Sequence, residues 1–224
     1  MVSTGMKRYR VRSDDQRQLI LDNAEALQDP ATLFGRRAPL RLEIGFGHGR
    51  FLSQMAACHP EEDFIGIEAQ PIRVTKTAHW SNKRGAGNVR LLCGEASRIL
   101  GTALPNACLK RAYVLFPDPW PKQRHRRRRL VNRAFLLALS RVMAPGGRFI
   151  FASDTHNYAM QVLSHFSTIP GTWWRNCYLE SGGYRFNIPT RFPTVFEEHH
   201  KAVGHRIAYL AFERSHVPTD LGST

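Results

Sequence analysis

From Leu40 onward the chain alternates short apolar runs with longer stretches whose apolar positions recur at helical spacing. Leu40 to Gly45 predicts a strand. Gly49 to Cys58 predicts a helix, with Phe51, Leu52, Met55 and Ala56 apolar. Asp63 to Glu68 is the next strand and Pro71 to Lys83 the next helix, its proline near the first turn. Asn88 to Cys93, Lys110 to Phe116 and Arg148 to Ser153 continue the strands. Ala96 to Leu104, Arg128 to Met143 and Asn157 to Phe166 continue the helices, and Pro145-Gly146-Gly147 ends the second of these. Thr172 to Tyr178 and His205 to Glu213 are the closing strands. This alternation predicts the α/β class, a Rossmann-like doubly wound and mostly parallel sheet of seven strands.

Ahead of this pattern, residues 1–38 form a polar preface. Lys7, Arg8, Arg10 and Arg12 make a basic arm, and Asp14 to Leu27 predicts a short helix. The expected organisation is an N-terminal arm over 1–38, one domain over 39–216 and a tail over 217–224. No stretch approaches the roughly 20 apolar residues of a membrane span, and no apolar segment follows the basic N-terminus, so the expected compartment is the cytoplasm. Cys58, Cys93, Cys108 and Cys177 are scattered without a CxxC pair, and His125 and His199-His200 lack ligand partners, so no metal is expected.

Charge changes the picture more than composition does. The net charge is +14 over 224 residues, a field that attracts polyanions. It is concentrated in Lys122-Gln123-Arg124-His125-Arg126-Arg127-Arg128-Arg129. On the predicted boundaries this run opens a helix, where cations meet the unfavourable end of the macrodipole. A merely solvated face favours acidic residues there, so the run points to nucleic acid.

The candidate cofactor turn is Gly45-Phe46-Gly47-His48-Gly49, between the first strand and the first helix. Glycines there allow a tight turn and close approach of backbone to ligand. Arg50 occupies the position of the third glycine of a dinucleotide fingerprint, which argues against a nicotinamide dehydrogenase. Glu68, at the end of the second strand, stands where an acidic residue accepts ribose hydroxyls. Glu43 precedes the turn. It would repel a pyrophosphate, but it suits a donor with an ammonium, a sulfonium and no phosphate. Glu95 follows the third strand, within reach of an adenine amino group. Together they point to S-adenosylmethionine. The fourth strand ends in Phe116-Pro117-Asp118-Pro119-Trp120-Pro121, in which two prolines stiffen the presentation of Asp118 and Trp120.

These segments resemble the bacterial tRNA (guanine-N7)-methyltransferases. The resemblance is carried by Leu42-Glu43-Ile44-Gly45-Phe46-Gly47, Gly66-Ile67-Glu68, Phe116 to Lys122, Arg124-His125 with the arginines after it, Ser153-Asp154 and Thr194-Val195-Phe196-Glu197. It runs from about Leu40 to Arg214. It implies methylation of N7 of guanosine 46 in the tRNA variable loop, with donor contacts from Glu43, Gly45, Gly47, Glu68, Glu95, Ala96 and Asp118. It implies catalysis by Asp118 and substrate contacts from Lys122, Asp154, Thr194, Val195, Phe196 and Glu197. Arg124, His125, Arg126, Arg127, Arg128 and Arg129 are the expected RNA contacts. Position 95 is Glu where the family usually has Asp.

Guanine N7 carries an in-plane lone pair and no proton, so no general base is needed. Alignment and electrostatics are the enzyme's tasks. Either Asp118 or Asp154 suits the guanine N1–H and 2-amino edge, and either Trp120 or Phe196 suits stacking on the base. The rival readings are a methyltransferase with another acceptor and a non-catalytic RNA-binding protein. The expected partner is tRNA, with no membrane and no obligate protein partner.

Overall fold

The computed structural model describes residues 14–170, 173–188 and 192–216. In chain order the elements are α1 (Asp14–Gln18), β1 (Ile20–Leu21), α2 (Pro30–Phe34), β2 (Leu40–Ile44), α3 (Arg50–Cys58), β3 (Asp63–Glu68), α4 (Pro71–Lys83), β4 (Val89–Cys93) and α5 (Ala96–Thr102). There follow β5 (Leu109–Leu115), α6 (Arg133–Val142), β6 (Met143–Ser153), α7 (His156–Ser167), β7 (Trp174–Asn176), β8 (Arg185–Phe186), α8 (Val195–Ala202) and β9 (Ala208–Arg214).

One sheet joins all the described strands in the order β1-β4-β3-β2-β5-β6-β9-β7, with β8 also on β9. The pairs from β1 through to β6 are parallel, and β9 runs antiparallel to β6, β7 and β8. Every residue of β2 and β3 is buried, as a strand covered on both faces requires. One face packs Phe46, Leu52, Phe64, Val74 and Leu91 under α3 and α4. The opposite face packs Leu42, Ile44, Leu100, Phe135, Leu136 and Tyr158 under α5, α6 and α7. The chain reverses winding between β2 and β5, which opens a crevice at their carboxyl ends. No described helix is long and apolar enough to cross a membrane.

The sheet has nine described strands where seven were expected, the short β1 and β8 being the additions, and two boundaries differ from the sequence pattern. The stretch from Asp14 to Leu27 is not one helix. It is a single turn of helix, the edge strand β1 on β4, and a 3-10 turn over Glu25–Gln28. Leu19 and Leu27 are buried, Leu27 inside the main core. Residues 14–38 therefore belong to the domain expected to begin at 39, because those two leucines cap open ends of the core. The basic arm at Lys7 to Arg12 and the tail over 217–224 lie outside the described residues.

The second difference concerns the helix expected over Arg128 to Met143. Gln123–Arg128 forms 3-10 turns, and the α-helix starts only at Arg133, where the Asn132 side chain accepts from the Phe135 N–H at 3.0 Å. The arginine run thus lies outside the α-helix, and the macrodipole has no bearing on it. At the far end, Met143 already belongs to β6, and a register shift accommodates Pro145-Gly146-Gly147.

Candidate active site

The glycine turn links β2 to α3 with three left-handed glycines, Gly45 (φ 70°), Gly47 (φ 54°) and Gly49 (φ 66°). Their roles differ. A Cβ on Gly49 would stand 2.1 Å from Thr77 Oγ1, so this position lets α3 meet α4. A Cβ on Gly45 or Gly47 would meet nothing within 4 Å. These two line open space, a cradle fit for a ligand.

Glu68 closes the turn from the neighbouring strand. One carboxylate oxygen accepts from the Gly47 N–H at 3.0 Å, and the other from the Gln70 N–H at 3.1 Å. Arg73 stands 3.7 Å away at the rim. Each oxygen retains a lone pair for a further donor. Glu43 lies beneath, 3% exposed, and its Oε2 has no hydrogen-bond partner. Burial, reinforced by the negative charge of Glu68, pushes its pKa up to about 8. Glu43 does not itself line the cleft, but an unpartnered buried carboxylate next to the glycine turn suits pairing with a cation. The residues therefore fit a cationic, phosphate-free nucleoside donor.

A cleft of about 280 Å³ extends from this cradle. One wall carries Gly45, Glu68, Gln70, Arg73, Glu95 and Ala96, and the other carries Phe116, Asp118, Trp120 and Arg128. Glu95 is the exposed N-cap residue of α5, its side chain uninvolved in capping. Asp118 is exposed on the loop after β5. That loop is strained at two bulky residues, Phe116 (φ 54°) and Trp120 (φ 41°), which lie on either side of Asp118 in left-handed conformations. Such conformations cost about 1–3 kcal/mol each and persist only when the surroundings enforce them.

A buried restraint on the middle of this loop is Arg129. Expected as an RNA contact, it is 1% exposed. Its Nε donates to the Pro119 carbonyl at 2.8 Å, Nη1 to Gln161 Oε1 at 2.6 Å and Nη2 to Asn157 Oδ1 at 2.7 Å. The guanidinium also covers the Tyr158 ring. Arg129 pins the Asp118 loop to α7 and is unavailable to a phosphate. Arg124, Arg127 and Arg128 are exposed, His125 and Arg126 half-buried, and Lys122 and Arg124 border a shallow surface hollow. Arg128 lies over the Trp120 ring, 5.0 Å from its centroid.

The third part of the site is α8. Thr194 Oγ1 caps it by accepting from the Glu197 N–H at 3.0 Å. Thr194-Val195-Phe196-Glu197 thus has the spacing of a capping box. Glu197 is buried at 3% exposure and does not line the cleft. Its carboxylate accepts from Tyr209 Oη at 2.8 Å and from Lys201 Nζ at 2.5 Å, pinning α8 to β9. Phe196 is 47% exposed and Val195 40%, so Phe196 is no core residue. Phe196 and His200 both stack with Phe116, at 6.4 and 6.1 Å between centroids. Asp154 Oδ2 stands 3.7 Å from His200 Nε2, and the turn into α7 is held by Ser153 Oγ, which accepts from the Thr155 N–H. At the other end Glu198 pairs with Arg50 at 2.5 Å, latching α8 to the start of α3. His200, Arg73 and Arg50 join the site with no sequence signal to mark them, because only tertiary packing brings them there.

A family described as "Putative methyltransferase" matches residues 37–207 of this chain. A tRNA (guanine-N(7)-)-methyltransferase from Methylococcus capsulatus is 42% identical over 195 residues, covering 87% of this chain and 83% of that protein. One from Salmonella typhimurium is 39% identical over 191 residues, covering 85% and 79%. Among solved structures, an rRNA methylase from Streptococcus thermophilus superimposes with a TM-score of 0.53 at 12% identity, covering 89% of this chain and 93% of that one. That likeness concerns the fold, a Rossmann-like methyltransferase domain.

Proposed function

This chain belongs to the tRNA (guanine-N(7)-)-methyltransferase family, and on that premise we propose that it transfers a methyl group from S-adenosylmethionine to N7 of a tRNA guanosine. Within tRNA we assign guanosine 46 of the variable loop, on the resemblance of Phe116 to Lys122 and Thr194 to Glu197. The observation that carries the reading is one cleft with two unlike walls. Glu68 and Glu95 line it after β3 and β4, and Asp118, Trp120 and Arg128 line it after β5; we assign the first wall to a nucleoside donor and the second to the nucleotide that accepts the methyl group.

The bound donor supplies an electrophilic sulfonium methyl. Glu43, kept protonated in the donor-free fold by burial and by Glu68, releases that proton to solvent as the donor's cationic end arrives, and its carboxylate then balances that charge. Glu68 accepts from the ribose hydroxyls with the lone pairs that Gly47 and Gln70 leave free, and Glu95 accepts from the adenine amino group. Gly45 and Gly47 keep side chains out of the donor's space, and Ala96 presents only a methyl group to it.

Asp118 accepts from the N1–H and 2-amino edge of guanine. It thereby orients N7 and stabilises the positive charge that develops on the purine, a preorganised electrostatic role. No residue has to remove a proton before attack, since N7 carries none. Asp154 stands beside His200 outside the cleft lining, so we assign Asp118 to the reacting base and Asp154 to substrate docking with α8. Phe196 offers the exposed ring of that docking surface, and Thr194 and Glu197 act by holding α8 in place. Lys122, Arg124, Arg127 and Arg128 take phosphates, with His125 and Arg126 at their edge.

Reaction of the enzyme and donor with an unmodified tRNA transcript, followed by nucleoside mapping, tests the reading. One 7-methylguanosine in the variable loop is expected. Methyl incorporation at another base, or into protein only, overturns it.

A further inference from the structure

Helix α4 carries a pattern that the site leaves unused. Its buried face is Val74, Thr77, Ala78 and Ser81, at the spacing of one helical stripe. The outward flank presents half-buried Arg73 and Lys76, exposed Trp80 and Lys83 and, just past the helix, exposed Arg84. Arg73, Lys76, Trp80 and Lys83 are separated by three, four and three residues, so they too form one stripe. No acidic residue occurs between Pro71 and Arg84. A surface helix stabilised by solvation alone gains from alternating signs at i,i+4, and like charges there cost it a few tenths of a kcal/mol per pair.

Trp80 sharpens the point. It is 41% exposed, with Lys83 Nζ and the Arg84 guanidinium each 5.4 Å from its ring centroid. An exposed indole between two cations is the chemistry of a single-stranded nucleic-acid platform, in which bases or sugars stack while cations take the phosphates. The position fits as well. The inner end of the stripe, Arg73, lines the cleft wall across from Trp120 and Arg128. At about 1.5 Å per residue the stripe extends some 16 Å from the cleft, long enough to follow several successive phosphates of one strand.

We propose that the outward face of α4, from Arg73 through Lys76 and Trp80 to Lys83 and Arg84, is a second docking surface for the phosphodiester backbone of the acceptor tRNA, on the bank of the cleft opposite the arginine run. The occupant is argued from charge complementarity and from continuity with the cleft, and the proposal rests on the tRNA reading above. It places the reacting base between two basic banks, so that the RNA is gripped on both sides of the nucleotide that enters.

The test uses the full chain with two variants outside the cleft, the triple variant K76Q/K83Q/R84Q and Trp80→Ala. Binding of unmodified tRNA transcript is measured across a salt series, with steady-state kinetics, donor calorimetry and thermal melting beside it. For the triple variant, the slope of log K against log salt is expected to shrink by about 0.7–0.9 for each phosphate that is no longer neutralised. KM for tRNA should rise about tenfold or more, with kcat within twofold and donor affinity and melting temperature unchanged. Trp80→Ala should weaken binding without changing the slope. A short stem-loop holding only the target guanosine and its neighbours should be methylated equally by wild type and the triple variant, since it does not reach α4. Unchanged KM and slope for full-length tRNA overturn the proposal, as does an equal loss on the short stem-loop. Failure of the wild-type enzyme to methylate tRNA at all would instead remove the functional reading beneath it.

Discussion

Replacing Arg129 with methionine separates two roles that the sequence merges. Its side chain has three strong acceptors, the Pro119 carbonyl, Gln161 Oε1 and Asn157 Oδ1, all within 2.8 Å. Hydrogen bonds from a charged donor contribute about 1.5–3 kcal/mol each, and removing the donor leaves buried acceptors unpaired. Relief from desolvating the guanidinium offsets part of this, since burying an ion costs several kcal/mol. The expected net loss is about 3 kcal/mol. For a domain of this size, each kcal/mol lowers the melting temperature by about 2–4 °C, so a fall of about 6–12 °C follows. Activity should suffer beyond stability. Without its pin at Pro119, the segment between Phe116 and Trp120 keeps only its flanking contacts, the Phe116 N–H on the Ala152 carbonyl and the ring contacts of Phe116 and Trp120, and Asp118 drifts. A displacement of about 1 Å at a reacting group costs on the order of 100-fold in turnover.

The assays are thermal melting, single-turnover methyl transfer and tRNA binding over a salt series. Arg129→Met should melt earlier and turn over slowly, with nearly wild-type tRNA affinity and an unchanged salt slope. Arg129→Lys, which keeps the charge but not the planar fork, should fall between the two in turnover. A variant with wild-type melting temperature and a salt slope reduced by about 0.7–0.9 would instead make Arg129 a phosphate ligand and not the pin of the Asp118 loop.

Asp118→Asn keeps the shape of an exposed residue, so the melting temperature should hold while methyl transfer falls at least 100-fold; retained turnover in rapid-quench assays removes Asp118 from the reaction. Glu43 titrates near 8 in the folded chain against an ordinary 4.5, so it binds its proton more tightly when folded. Its contribution to stability is full below about pH 4.5 and is lost as pH rises through about 8, and donor-free Glu43→Gln should show a flatter decline in melting temperature over that window, with weakened donor binding by calorimetry. Gly49→Ala forces a Cβ into Thr77 and should cost several kcal/mol in chemical denaturation, whereas Gly47→Ala, with open space around it, should cost about 1–2 kcal/mol and show its main effect on donor affinity. Equal stability losses at the two glycines would contradict their separate roles.

What the sequence made legible follows from how far each signal reaches along the chain. The strands β2, β3, β4 and β5 and the helices α3 and α4 are bounded by local cues, apolar runs between glycine and proline, and they lie within a residue or two of expectation. Gly45, Glu68 and Asp118 share one cleft because a doubly wound sheet brings the ends of neighbouring strands to one crevice, which their places at strand ends already implied. Patterning was least informative where a residue's environment comes from distant elements. Leu19, Ile20 and Leu27 have helical spacing, but an open sheet edge at β4 and an uncovered core recruit them as strand and plug. Tertiary pairing overrode local propensity there.

Arg129 and Glu197 illustrate a second limit, that charge does not reveal which face of the chain it occupies. Six basic residues from Arg124 to Arg129 look alike in sequence, yet only the last meets Asn157 and Gln161 on α7 and is drawn inside. Thr194-Val195-Phe196-Glu197 resembles a substrate-contact motif, yet its acid is spent on Tyr209 and Lys201. In both cases a residue expected to touch ligand is buried and holds an exposed element in place, the Asp118 loop in one case and α8 in the other. The physical reason is shared. A strained loop and an eight-residue helix cannot hold their own geometry, and a buried charge with several satisfied partners is among the few groups that define one geometry sharply. Motif matching cannot separate the pin from the part it holds, because both must be present for the site to work. Burial separates them, and so do variants whose stability and activity losses are read apart.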